Sequence, residues 1–408
     1  IIVAGDFGQL PPAGRGSAPL YTPVFAQKIK EGKVSMRVTN AAQKIAFGKA
    51  IWHQFTEVIL LTENMRQAGM SEEDHLFRKS LVNLRFGLCD EQDLALFRTR
   101  VSTRIGNGPR ITDDMFQSVA IITSLNAHRD QINLMGASRF AADYGRDIIS
   151  FYSVDRLGKT RDVALVAATG RNAAKVLDPV RTHNVPQRQL QDALWSLPPC
   201  ESNHHAGVLQ LCWGMPVMLK NNEATELCAT NGAEGYVVGW DASPHPDRPE
   251  HLCLNTVFVQ LANPPKTYTI ATLPPGVVPI TATHKSVECA LVSGTKLVVN
   301  RRQPQVLLNF AMTDYCSQGR TRPINPVDIH NCRSQQAVYT CLSRSSSLRG
   351  TLILQPFSEK HLTCGLSGQL RRELRELEIL SYIGLLRHEE RLDTRVQGAT
   401  RYELINSF

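Results

Sequence analysis

The chain has 408 residues, 42% of them hydrophobic and 20% charged, an ordinary globular balance that is too long for one core and points to two or three domains. A net charge of +8 with a pI near 9.0 favours a polyanionic partner, and with no long lysine or arginine block the charge must lie on folded surfaces. No apolar run reaches the length of about eighteen that a spanning helix needs, and ten cysteines without a CxxC pair argue against a disulfide framework and for reduced thiols in an intracellular compartment.

In chain order, Ile1-Ile2-Val3-Ala4 reads as a buried strand, and a chain that opens inside a strand without methionine has the form of a truncated one. That strand delivers Gly5-Asp6-Phe7-Gly8-Gln9-Leu10-Pro11-Pro12 to its carboxyl end, where α/β proteins bind ligands. Gln9 offers a donor and an acceptor, and the two prolines fix the exit path. The plain reading is a tight strand-to-loop turn. A second reading takes the apolar run and Asp6 as a magnesium-binding Walker B strand. Val58-Ile59-Leu60-Leu61 and Val119-Ala120-Ile121-Ile122 read as buried parallel strands. The first leads into Thr62-Glu63-Asn64-Met65-Arg66-Gln67. Between them Leu76, Phe77, Leu81, Leu84, Leu94, Leu96 and Phe97 fall at helical spacing.

Gly158-Lys159-Thr160 is the nearest approach to a phosphate loop, but Ser153 stands where the first glycine is required, and the order along the chain is wrong. Cys200, His204, His205 and Cys212 are the one cluster to test for metal binding, at a spacing that matches no standard zinc pattern. From about 206 to 300, short strands replace helices. Met215–Leu219, Gly235–Trp240, His251–Leu261 and Thr267–Leu273 read as strands, with Asn231-Gly232 as a turn. The pattern predicts a small β barrel inserted in an α/β fold. Val306–Leu308 and Thr351–Leu354 then return to α/β character. Leu370, Leu374, Leu377, Leu380 and Ile383 mark a tail helix, with Arg372 and Glu376 paired across one turn.

Gly5–Pro12 resembles the third motif of the RecD-like superfamily-one helicases, and Phe7 matches their PIF branch. Leu61–Gln67 resembles the segment that supplies an arginine to the γ-phosphate. Phe310–Gly319 is similar to the fifth motif, with Tyr315 and Cys316 replacing its usual histidine and lysine. Val338–Arg344, followed by Gly350-Thr351-Leu352, resembles the sixth motif. Fainter likenesses are Leu84–Gly87 with Asp93 and Arg100, Thr123–Asn126 through Asn133, and Val217–Asn222 with Asn231-Gly232. Four motifs in family order, over Ile1 to about Phe357, are more specific than any one of them.

The resemblance implies RecA-like P-loop NTPase cores, the first incomplete, with an SH3-like small β-barrel insertion. Its domains would be 1–57 (remnant of the first core), 58–205 and 301–360 (second core), 206–300 (the insertion) and 361–408 (the helical tail). It implies an ATP-dependent DNA helicase that uses ATP and Mg2+, acts on single-stranded DNA and duplex junctions, moves 5′ to 3′ and is monomeric. Its setting would be genome maintenance, including repair, recombination and telomeres, or a mobile element, in nucleus or mitochondrion. Gln9, Arg66 and Arg344 would be catalytic. Gly5, Asp6, Gln9, Gln318, Gly319 and Arg344 would face the nucleotide, and Thr313, Ser317 and Asn126 the DNA. No metal ligand is assigned. Residues 1–408 hold no Gly-x-x-x-x-Gly-Lys-Ser/Thr, so the expectation is a fragment that does not hydrolyse ATP alone. The alternatives are an inactive single-strand-binding remnant and a different P-loop ATPase, which would explain Asp6 but not the later motifs.

Overall fold

A computed structural model describes residues 1–14, 17–22, 29–30, 33–34, 40–103, 108–117, 119–157, 184–270 and 272–408. Gly158-Lys159-Thr160 lies outside the described residues. Among the described residues the longer helices are α1 (Asn40–Trp52), α2 (Glu72–Phe86), α3 (Glu91–Arg98), α4 (Asn126–Asp143), α5 (Arg188–Ser196), α6 (Gln335–Leu342), α7 (Gly368–His388) and α8 (Arg401–Ser407). Polar side chains start several of them. The Ser71, Ser334 and Ser367 hydroxyls accept first-turn amides of α2, α6 and α7, while α3 and α8 open on capping boxes, Asp90 with Asp93 and Thr400 with Glu403. The chain divides into two compact units, Ile1–Asp113 with Ser317–Phe408, and Asp114–Cys316.

In the first unit, strands Asn325–Asp328 and Thr351–Ile353 pair in parallel, with Asn325 opposite Thr351. Phe77, Leu81 and Leu84 of α2 and Leu94 and Phe97 of α3 are buried, as their spacing predicts. α2 ends at Gly87, whose φ of 66° closes the helix and which lies against Gly365. Gln335 Nε2 donates to the Leu84 and Arg85 carbonyls at 2.6 and 2.9 Å, fastening α6 to the end of α2. The tail helix forms as α7, burying Leu370, Leu377, Leu380 and Ile383, with Arg372 and Glu376 3.9 Å apart.

Two expected strands do not form. Ile1 and Ile2 are fully exposed, and Ile59 and Leu61 lie about as open, with no strand over 1–3 or 58–61. A strand exists through its ladder. Among the described residues no partner strand runs beside either segment, so β-branched composition alone does not make them strands.

In the second unit, Ile121–Thr123 pairs in parallel with Ala311–Thr313, and α4 packs across them. Asn133 Oδ1 accepts the Phe310 and Ala311 amides, both at 2.8 Å. Gly136 is required there, since a Cβ would meet the Phe310 ring at 2.5 Å. The β region runs Val306–Leu308, Pro216–Leu219, Glu234–His245, Arg248–Leu261, Ile149–Tyr152 and Val208–Leu211, with Val277–Thr281 also on Arg248–Leu261, and curls into a nearly closed barrel. Its core includes Phe151, Leu211, Met215, Val217, Leu219, Val237, Val257, Val259 and Ile280. The expected strand over 267–273 is absent among its described residues. Proline pairs at 264–265 and 274–275 bracket it, removing the donors at its ends, and Val277–Thr281 takes the edge instead. A second sheet of Thr283–Ala290, Lys296–Gln303 and Val154–Leu157 carries a fully buried ion pair. Arg301 Nε and Nη2 donate to the two Asp155 oxygens, each at 2.8 Å.

Candidate functional site

In the first unit the Gly5–Pro12 segment is a turn built on its own aspartate. Asp6 Oδ1 accepts the Gly8 amide at 2.8 Å, and Asp6 Oδ2 accepts Gln9 Nε2 at 3.0 Å and Arg85 Nη1 at 2.6 Å. Burial raises the Asp6 carboxyl, but the bonds from Arg85, Gln9 and Gly8 outweigh it and hold the group below its usual range. A carboxylate this committed to a guanidinium has little left for a cation, which counts against the Walker B reading. The turn is tied to α6, since Gln336 Nε2 donates to the Phe7 carbonyl at 2.9 Å and the Tyr21 hydroxyl at 3.1 Å, and the Arg85 guanidinium lies 5.8 Å from the Tyr339 ring centre.

Arg66 and Arg344 meet at one residue. Arg66 Nη1 donates to the Ser343 carbonyl at 3.0 Å, and its Nε to Thr321 Oγ1 at 3.1 Å. Gln67 Nε2 donates to the Ser343 and Ser345 carbonyls. Arg344 Nη2 donates to Ser343 Oγ at 2.9 Å and Nε to the Thr340 carbonyl at 2.9 Å, while Nη1 is buried with no partner. Arg344 is 1% exposed. Burial, reinforced by the like charge of Arg66, pushes it down to about 10. Arg344 thus lies folded back on the end of α6, an under-compensated cation with one unpartnered donor and the like charge of Arg66 near it. Such a place favours an anion.

The other expected residues take two positions. Gly5 is exposed, with open space around its Cα, and Gln318 and Gly319 are exposed, Gly319 at a φ of 84°. Ser317 is buried. In the second unit Thr313 is buried, its hydroxyl accepting the Cys316 amide at 3.4 Å, and Asn126 is exposed at the start of α4, its Oδ1 accepting Arg129 Nη1 at 2.9 Å.

Three cations of the second unit escaped the sequence reading. Arg129 is 2% exposed, donates to Asp130 and lies 3.2 Å from His204 Nδ1. Lys285 Nζ donates to Asn221 Oδ1 at 3.3 Å. Lys220 is pushed down by burial, with Arg129 and Lys285 adding repulsion. Burial and these same cations bring His204 and His205 to about 4. Positive charge exceeds negative here, beside Cys316. The signal available in sequence was Lys220 within Val217–Asn222, but the other two cations come from distant segments.

Cys200, His204, His205 and Cys212 do not form a metal site. Cys212 is buried in the apolar core, and burial, with the Asp130 carboxylate beside it, raises the Cys200 thiol to about 11, the reverse of what a thiolate ligand needs. Among the described residues no three His, Cys, Asp or Glu side chains converge on a point.

No family model matches the chain. Over 358 residues it is 24% identical to the rat ATP-dependent DNA helicase PIF1, covering 87% of this chain and 40% of that protein. The human protein of the same name gives 24% over 355 residues, with the same coverage. Its fold resembles the crystal structure of the Pif1 helicase from Candida albicans, with a TM-score of 0.50, 19% identity, and 91% of this chain and 67% of that one covered. The chain is similar to the PIF1 DNA helicases over most of its own length. It spans 40% of the length of the curated PIF1 proteins it matches, and it shares the mixed α/β fold with its curled β sheet. No helix among the described residues is long and apolar enough to cross a membrane.

Proposed function

We propose that these residues serve an ATP-dependent DNA helicase of the PIF1 kind. The observation that carries this reading is the convergence of Arg66 and Arg344 on Ser343, at the end of α6, with one buried guanidinium nitrogen that has no hydrogen-bond partner and with the Gln9 turn tied to that helix. Charge spreads over the γ-phosphoryl oxygens as its bond breaks, and two guanidinium groups suit that charge. Gln9, Arg66 and Arg344 are the groups for it, with Gly5, Asp6, Gln318 and Gly319 lining the nucleotide side. Mg2+ would arrive on the ATP phosphates, since Asp6 is engaged by Arg85. Single-stranded DNA would meet Asn126 and Thr313 in the second unit, its phosphates drawn by Arg129, Lys220 and Lys285, and Ser317 is the residue that the first unit offers to it.

The domain division goes with this reading. Residues 1–57 belong to the first RecA-like core, 58–205 and 301–360 to the second, 206–300 to the SH3-like insertion and 361–408 to the tail. Duplex junctions as substrate, 5′ to 3′ movement, a monomeric state, and work in genome maintenance or a mobile element, in nucleus or mitochondrion, are the family's corollaries.

Residues 1–408 contain no phosphate loop, so by themselves they should bind oligothymidylate in a salt-sensitive manner and release no phosphate from ATP. Supplied with a phosphate-loop core ahead of Ile1, they should support DNA-stimulated release, and Arg344→Ala should lower it about a thousandfold or more while single-strand binding persists. Unchanged turnover in that variant removes Arg344 from the site. A second reading, a non-catalytic single-strand-binding protein, is favoured by Tyr315 and Cys316 in the fifth motif. It requires that ATP leave DNA affinity unaltered even with the phosphate-loop core present.

A further inference from the structure

The last two helices reach the glutamine turn through one tryptophan. Trp52, at the end of α1, donates its Nε1 proton to Glu373 Oε1 of α7 at 2.7 Å. Arg401 of α8 donates Nη1 to the same oxygen at 2.7 Å and to Glu376 Oε2 at 3.5 Å, and its guanidinium carbon lies 5.1 Å from the Trp52 ring centre. The Arg401 amide also donates to the His53 carbonyl at 3.2 Å. Glu373 and Arg401 are 4% and 1% exposed. The Trp52 and Phe7 ring centres lie 5.7 Å apart at 86°, and those of Phe7 and Tyr21 5.7 Å apart at 89°. Phe7 stands two residues before Gln9, between the amides and side chains that Asp6 gathers.

A join that only had to bury area could be apolar, since a buried ion pair is no more stabilising than well-packed apolar groups of its size. What the pair adds is direction. One carboxylate oxygen fixes the indole in its plane, the guanidinium covers the ring, and the plane of Trp52 sets where Phe7 can sit. We propose that Glu373 and Arg401 are positioning residues for the glutamine turn, acting through Trp52 and Phe7. The functional meaning rests on Gln9 facing nucleotide, but the mechanical link is a property of these residues alone and is tested without nucleotide or DNA.

The test is amide hydrogen exchange on residues 1–408. The Gly8 and Gln9 amides, bonded to Asp6 Oδ1 and the Asp6 carbonyl, report the turn. Arg401→Ala should speed exchange over residues 6–9 by roughly tenfold or more, while α2 and the second unit keep their rates. Glu373→Gln, which keeps the side-chain shape, should do the same to a smaller degree and decides the matter if the arginine variant fails to fold. Fraying confined to α7 and α8, or a rise spread evenly over the first unit, overturns the link. Neither result touches the ATPase reading, which stands or falls on phosphate release.

Discussion

The Gln9 amide has its nitrogen turned to Asp6, so its oxygen is the atom left to face a ligand or water. That orientation depends on Arg85, whose bond to Asp6 Oδ2 keeps the carboxylate charged against the cost of burial. Arg85→Met keeps the stem packed and removes the charge. It should lower stability by about 1.5–3 kcal/mol in chemical denaturation, the worth of a charged hydrogen bond. The sign with pH follows from the depressed carboxyl. Its contribution is full above the ordinary aspartate value near 3.8 and is lost as pH falls through the lower folded value. The variant should therefore lose less stability than the parent on acidification. Equal acid limbs in the two proteins would show that Arg85 does not hold the carboxylate. None of this was visible in sequence, where Arg85 stood in a faint motif and Asp6 had two readings. The deciding partner lies 79 positions away.

Among the elements, those that carry their own partners were legible and those that borrow them were not. α2, α3 and α7 follow from apolar spacing and caps, because a helix satisfies its backbone within itself. Strand runs at 1–4 and 58–61 have the composition but no neighbour among the described residues. The run at 267–273 yields its edge to Val277–Thr281. Glu373 escaped notice for a related reason, being an acid on the inward side of α7 whose partners Trp52 and Arg401 sit in other helices. The same holds for Asp155 and Arg301, one in Val154–Leu157 and one in Lys296–Gln303. Their bidentate pair also takes Gln191 Nε2, Ser153 Oγ and, through Arg301 Nη1, the His205 carbonyl. Arg301→Ala leaves Asp155 charged and dry and should cost about 3–5 kcal/mol in equilibrium unfolding. Replacing both residues by apolar ones of like volume should cost far less. If the single and double variants lose the same amount, the pair's value lies in packing rather than in charge.

At the scale of the second unit, the excess of cations sets its response to acid. His204 and His205 are brought to about 4 by burial and by Arg129, Lys220, Lys285 and Arg301 around them, so the fold keeps them neutral where an unfolded chain would protonate them near 6.5. Stability attached to them is full above about 6.5 and is lost as pH falls toward 4. Asp314 works the other way. Burial raises its carboxyl to about 6, so acidification over the same range favours the fold. His204 and His205, joined by His245, which burial lowers as well, outnumber the one aspartate, so the balance between pH 6.5 and 4 is a net loss of stability. Trp195, Trp213 and Trp240 all lie in this unit, whereas the fourth tryptophan, Trp52, lies in the other, so tryptophan fluorescence follows its unfolding. The denaturation midpoint should fall steadily over that range. His205→Gln should remove part of the histidine contribution, because His205 enters the Arg301 network through its carbonyl and not its ring. A midpoint that stays level from pH 6.5 to 4 would mean the histidines are charged in the fold, and that the surplus of positive charge which commends this face to a phosphodiester backbone is weaker than its residues suggest.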